Sequence, residues 1–252
     1  MKKHIICLGD SNTHGYCADP RDCANPELAR FNEDERWTCL LQKALGEDYK
    51  VYEEGLSGRT TVFSDPLYEG LDALHYLWPC LKSHEPVSLL IIMLGTNDSK
   101  ERFGMNAFAI SLGMRRLVQK AQTTDCWGPG GKPNILIVAP PVIGEGVLTS
   151  PVADEMGTMG HGCVEKSRKL PAHYRRVAML RRGKASGLSP ASRRRGLQIP
   201  RFRPSGPKTR SVRRSFSPHA TRLWLGSRGD PGWCPKIGPL GCPGRWSPRC
   251  PY

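Results

Sequence analysis

Seven consecutive residues, Ser88-Leu-Leu-Ile-Ile-Met-Leu94, carry no charge and only one polar side chain. A run this short and this apolar fits a strand buried on both faces, the setting of a central strand in a parallel sheet. A parallel sheet needs crossover connections, most often helices, between its strands. The chain supplies them up to about residue 178. Apolar runs at 4–8, 49–52 and 134–139 alternate with stretches whose apolar residues recur at helical spacing: Trp37, Leu40, Leu41 and Leu45; Leu67, Leu71, Leu74, Leu77 and Leu81; Ile110, Met114, Leu117, Val118 and Ala121. Helices are expected over 34–45, over 67–81 after Asp65-Pro66, around 110–121 and over 165–178, with a long Gly/Pro-punctuated loop at 140–162. The expected fold class is α/β, a parallel sheet covered by helices on both faces.

The alternation stops after Ala178, and the charge divides at the same place. Residues 1–178 hold 20 Lys and Arg against 22 Asp and Glu, whereas residues 179–252 hold 17 basic residues against the single acid Asp230. With 11 Pro and 10 Gly and no sustained period, that tail cannot bury enough apolar surface to offset its ordering entropy, so disorder is expected over 179–252. Two readings of it stand. It is a natural basic linker, or it is GC-rich coding sequence translated out of frame, which the other two frames past codon 178 would reveal. The apolar run after Met1-Lys2-Lys3 is too short for a secretory signal core, and no segment is long enough to span a membrane. Seven of the ten cysteines precede residue 178 without paired spacing and fall in apolar patterns, as reduced thiols of a cytoplasmic protein do.

Three strand exits carry the chemistry. Gly9-Asp10-Ser11 follows the first apolar run, Glu54-Gly55-Leu56-Ser57-Gly58-Arg59-Thr60-Thr61 the second, and Gly95-Thr96-Asn97-Asp98 the third. Each alone has an ordinary explanation: Asp10, Ser11, Asn97 and Asp98 suit turns and N-caps, and Gly55 and Gly58 suit strand exits. All three blocks, however, fall at carboxyl ends of strands. Those ends lie side by side in a parallel sheet and line the crevice where open α/β sheets bind ligands. A hydroxyl lifted by a strand-to-helix turn at such an edge, Ser11 here, is a candidate nucleophile.

In this order the blocks resemble the SGNH (GDSL) hydrolase family. The fuller strings Glu53–Thr61 and Met93-Leu94-Gly95-Thr96-Asn97-Asp98-Ser99-Lys100, with Arg36-Trp37 upstream, look like its cytoplasmic arylesterase and acyltransferase branch. The resemblance covers residues 3–178. It implies a three-layer αβα, flavodoxin-like fold of strand order 2-1-3-4-5, no metal or organic cofactor, small ester substrates, and frequent homo-oligomers. It implies Ser11 as nucleophile, with Gly55 and Asn97 as oxyanion donors.

The family's C-terminal Asp-x-x-His block, which supplies base and orienter beyond a fifth strand, has no match in the tail. Asp72-Ala-Leu-His75 has the spacing but lies in a helical pattern and in the wrong chain order. His14, His161 and His173 have no acid at a diagnostic spacing and are taken as structural, so the base is unassigned. The resemblance then implies an esterase lineage whose turnover falls far below that of a complete triad. With no fifth strand, strand four becomes an uncovered apolar edge. A rival reading makes the basic tail, with Trp224, Trp233 and Trp246 among its arginines, a nucleic-acid binder, but no recognition fold accompanies it. Cys234, Cys242 and Cys250 lack the paired spacing of a metal site.

Overall fold

The computed structural model describes residues 1–17, 29–128, 130–149 and 159–185, with side chains through residue 179. Strands β1 (Lys3–Gly9), β2 (Tyr49–Gly55), β3 (Val87–Met93) and β4 (Ile135–Val138) form one sheet of order β2-β1-β3-β4. Every pairing is parallel, and β1 lies between β2 and β3, with Gly9 opposite Gly55 on one side and Met93 on the other. This is the expected order as far as its fourth strand; among the described residues there is no fifth. The α-helices among the described residues are α1 (Ser11–His14), α2 (Trp37–Leu45), α3 (Ala73–Ser83), α4 (Ala107–Thr123) and α5 (Cys163–Ala185).

The period-2 alternation of the strands sorts the core into two layers. Ile6, Leu8, Leu90 and Ile92 point to one face and pack with Leu77 and Leu81 of α3, Ile110, Met114 and Leu117 of α4, and Leu170 and Tyr174 of α5. Ile5, Cys7, Val51 and Ile91 point to the other and meet Trp37, Leu41 and Leu45 of α2. Cys7, Cys39, Cys80, Cys126 and Cys163 are free thiols. No helix among the described residues is long and apolar enough to cross a membrane.

Helix α3 starts later than its periodicity suggests. Leu67 and Leu71 continue the helical spacing but precede the helix, which begins only after Asp72. The carboxylate of Asp72 accepts from the His75 backbone N–H (3.0 Å) and lies 2.6 Å from His75 Nδ1, so Asp72-x-x-His75 is an N-cap whose histidine side chain is 82 % exposed. A local cap defeats a period that extends beyond it. At the other end of the chain, α5 runs seven residues past Ala178; the disorder, nucleic-acid and cysteine expectations for residues 186–252 lie outside the described residues.

Strand β4 is the edge of the described sheet. Ile135 and Ile137 pack on the first core, but Leu136, on the side of α2, is 48 % exposed. Replacing Leu136 by lysine places a charge where edge strands commonly carry one. Light scattering on heating is expected to show less aggregation for Leu136→Lys, with the urea-measured stability changed by less than about 1 kcal/mol.

Candidate functional site

The Gly-Asp-Ser turn is built locally. Asp10 is fully buried and caps α1: one carboxylate oxygen, Oδ1, accepts from the Asn12 backbone N–H (2.9 Å) and from Asn12 Nδ2 (2.8 Å). Ser11 follows as the first residue of α1, half-buried, and Gly15 closes the turn in a left-handed conformation at φ 85°. The end of β2 runs hard against this turn. A Cβ at Gly55 would lie 2.2 Å from the His14 backbone nitrogen and 2.5 Å from the Thr13 carbonyl carbon, so only glycine fits there.

The three strand exits are tied to one another. Asn12 Nδ2 also donates to Thr96 Oγ1 (3.2 Å), joining the first exit to the third. Arg59 Nη1 donates to the Gly9 carbonyl (3.2 Å) and to the Glu54 carbonyl (2.5 Å), with its guanidinium 4.6 Å from the centre of the Tyr76 ring. Asn97, buried in the short 3-10 turn Asn97–Ser99, donates from Nδ2 to the Arg59 carbonyl (3.1 Å). Asp98 beside it accepts from the Thr61 N–H (2.9 Å) and from the Thr61 hydroxyl. Helix α5 clamps the same turn from outside: Tyr174 Oη donates to the Leu94 carbonyl (2.8 Å) and Lys166 Nζ to the Ser99 carbonyl (3.1 Å).

Ser11 and Asn97, from the first and third exits, line one pocket of about 150 Å³ with Tyr16, Ser57, Gly58 and Lys100. Gly55 holds the floor of α1 and is not among the described lining residues. Neither is any histidine. His14, half-buried at the end of α1, has its pKa lowered by burial and then by the charges of Arg30 and Arg36, with the Gly55 backbone acting the other way. His161 is exposed, and His173 on α5 lies with its ring 5.9 Å from that of Phe108.

Burial pushes the Asp98 carboxyl up to about 6, against hydrogen bonds from Thr61 that favour its charged form; the nearby Asp10 raises it further, and burial raises Asp10 in turn. An acid whose folded pKa stands above its unfolded value of about 3.9 stabilises the fold fully below that value, and loses the contribution as pH rises through about 6. In Asp98→Asn the amide oxygen can still accept from the Thr61 N–H, and the amide can donate to the hydroxyl. The stability of wild type relative to Asp98→Asn is therefore expected to fall between about pH 4 and pH 6, by at most about 3 kcal/mol, in urea titrations run across that range.

Among the described residues, one set of donors is close enough to hold a metal ion: Glu54, Cys80 and His84, whose ligand atoms lie within 4.8 Å of one another. They are engaged within the protein. Glu54 accepts from Tyr76 Oη (2.6 Å) and pairs with His84 Nε2 (2.7 Å), while burial, then the charge of Glu54, pushes the Cys80 thiol up to about 12. A protonated thiol is a poor ligand. Arg59, Thr61 and Lys100 fall within the motifs with no role that their local sequence assigns, and Asp98 reads there only as a turn or N-cap residue. Their contacts, such as Thr61 with Asp98, span 37 residues, and no local pattern announces them.

The sequence model of the GDSL-like lipase/acylhydrolase family matches residues 7–184. Among solved structures, an inhibitor-bound aryl esterase from M. smegmatis is 37 % identical, with a TM-score of 0.61 over 71 % of this chain and 81 % of that one. Est24, a carbohydrate acetylesterase from Sinorhizobium meliloti, is 35 % identical, with a TM-score of 0.61 over 72 % and 81 %. A putative arylesterase from Agrobacterium tumefaciens str. C58 is 35 % identical, with a TM-score of 0.56 over 71 % and 79 %. No curated protein matches the chain. The family match spans every strand exit described above, and relatives at more than a third identity share the fold: the chain belongs to the GDSL-like lipase/acylhydrolase family.

Proposed function

We propose that this chain is a serine ester hydrolase for small carboxylic esters, working through an acyl-Ser11 intermediate. The observation that carries the reading is the meeting of Ser11 and Asn97, from two separate strand exits, in one small pocket. Ser11 Oγ attacks the ester carbonyl carbon. The carbonyl oxygen takes the negative charge and is held by the Asn97 side-chain amide together with the backbone N–H of Ser11. The C–O bond to the alcohol then breaks, the alcohol leaves with a proton, and water releases the acid from Ser11. A second alcohol in place of that water gives acyl transfer.

The pocket beside Ser11, about 150 Å³, has room for a small ester. The relatives named as aryl and carbohydrate acetyl esterases support ester chemistry. With no histidine lining the pocket among the described residues, the Ser11 proton passes to solvent water. Turnover then rests on binding and on the oxyanion donors, far below that of a serine with an attached base. The free cysteines support a cytoplasmic setting. Half-exposed Leu136 and Val142 offer apolar surface that self-association would cover. The reading is tested by mass spectrometry of the full chain after incubation with p-nitrophenyl acetate: a mass increase of one acetyl group on the peptide containing Ser11 is expected, and acetylation elsewhere with Ser11 unmodified refutes it.

A further inference from the structure

Lys100 is the one pocket residue whose charge is left without a bonded partner. It ends the turn that begins at Asn97, is only 9 % exposed, and lines the pocket with Ser11 and Asn97. Among the described residues nothing accepts a hydrogen bond from its ammonium group, and no carboxylate pairs with it. Burial, and then the charge of Arg102, lowers its pKa; Asp65, Asp10 and Asp98 act the other way from a distance.

Neighbouring cations are placed differently. Arg102 is paired with Asp65, Arg59 with two backbone carbonyls, and Lys166 with Glu101 and the Ser99 carbonyl. Most of the Lys100 side chain is covered but its ammonium keeps contact with solvent, and a cation on the pocket wall with no carboxylate of its own favours a ligand that brings an anion to it. Lys100 shares the pocket wall with Ser11 and Asn97, so a ligand whose ester lies at Ser11 can present a second group to it.

We propose that Lys100 determines specificity by receiving a carboxylate carried by the substrate, so that the site takes short esters bearing a negative charge, such as half-esters of small dicarboxylic acids. This rests on the ester-hydrolase reading of Ser11 given above. The test is therefore a binding measurement that needs no turnover. In the full-length Ser11→Ala chain, calorimetry compares monomethyl succinate, which carries an ester and a carboxylate, with the neutral dimethyl succinate. The half-ester is expected to bind at least tenfold more tightly, and the difference is expected to vanish when Lys100→Met or Lys100→Gln is added. Neither substitution removes a hydrogen bond or an ion pair, so the melting temperature of these variants should stay close to that of Ser11→Ala; if one of them fails to fold, the other carries the comparison. Equal binding of the two esters, binding of neither, or a preference that survives both substitutions overturns the assignment. Failure of wild type to hydrolyse any ester would count against the proposed function and leave this binding result readable.

Discussion

Hydrolysis of p-nitrophenyl acetate by Ser11→Ala is expected to fall to the rate of the ester in buffer alone. Ser11 is the only hydroxyl in the pocket that is also seated on the β1 exit, where Asp10 and Gly15 fix the one-turn helix that presents it. Removing a serine nucleophile in a complete site costs on the order of a millionfold. Here the wild-type rate is expected to be modest, because among the described residues no base adjoins the hydroxyl, so the drop is bounded by how far wild type stands above background. The informative comparison is with Asn97→Ala. Loss of one oxyanion donor is worth on the order of a hundredfold or more, so that variant should keep its acetyl-Ser11 adduct but form it slowly, whereas Ser11→Ala forms none. Ser57, also in the pocket, provides the internal control. If Ser11→Ala retains activity and Ser57→Ala loses it, the nucleophile is misassigned.

Gly55→Ala is expected to unfold the chain more readily by at least about 3 kcal/mol, the upper range for forced overpacking. The added methyl would meet backbone atoms of Thr13 and His14, not the end of a flexible side chain, so either β2 or α1 must move. For a domain of this size the loss should lower the melting temperature by roughly 10 °C. Gly128→Ala, where a Cβ would meet nothing closer than 3.8 Å, should be near neutral and is the matching control. The two variants measured side by side in thermal melts separate the general cost of adding a methyl from the specific contact at α1. Because α1 carries Ser11, whatever activity the folded fraction of Gly55→Ala retains should be reduced as well.

Much of the architecture could be read from the chain because strand exits are local. The unbroken apolar run at 88–94 announced a doubly buried strand, and β3 occupies 87–93 at the interior of the sheet. Gly-Asp-Ser and Gly-Thr-Asn-Asp then mark where two strands stop, and parallel pairing brings those ends together without further information. What was hidden is long-range and polar. Lys100 reads as one more charge after a turn until the fold shows that it lies 9 % exposed beside Ser11. Arg59 reads as a loop residue until its guanidinium is found bridging the β1 and β2 exits. The boundary of α3 is hidden for a different reason: Leu67 and Leu71 keep a helical period, but the side chain of Asp72 starts the helix after them. Leu71 is buried against the Gly58 turn, so its apolar character serves a loop contact and not a helix face.

The grip of α5 on the β3 exit sets a minimum length for any working version of this protein. Tyr174 reaches in to the Leu94 carbonyl, and its hydroxyl lies where a side chain at Gly95 would begin, 2.4 Å from that position, while Lys166 holds Ser99 two turns earlier along the helix. A shortened chain that ends before Tyr174 would keep all four strands and every motif at their exits, and would still release the segment that positions Asn97. A chain cut after Ala178 retains both anchors. The practical boundary of the described fold is therefore drawn by one phenol hydroxyl, about eighty residues away in sequence from the carbonyl it holds.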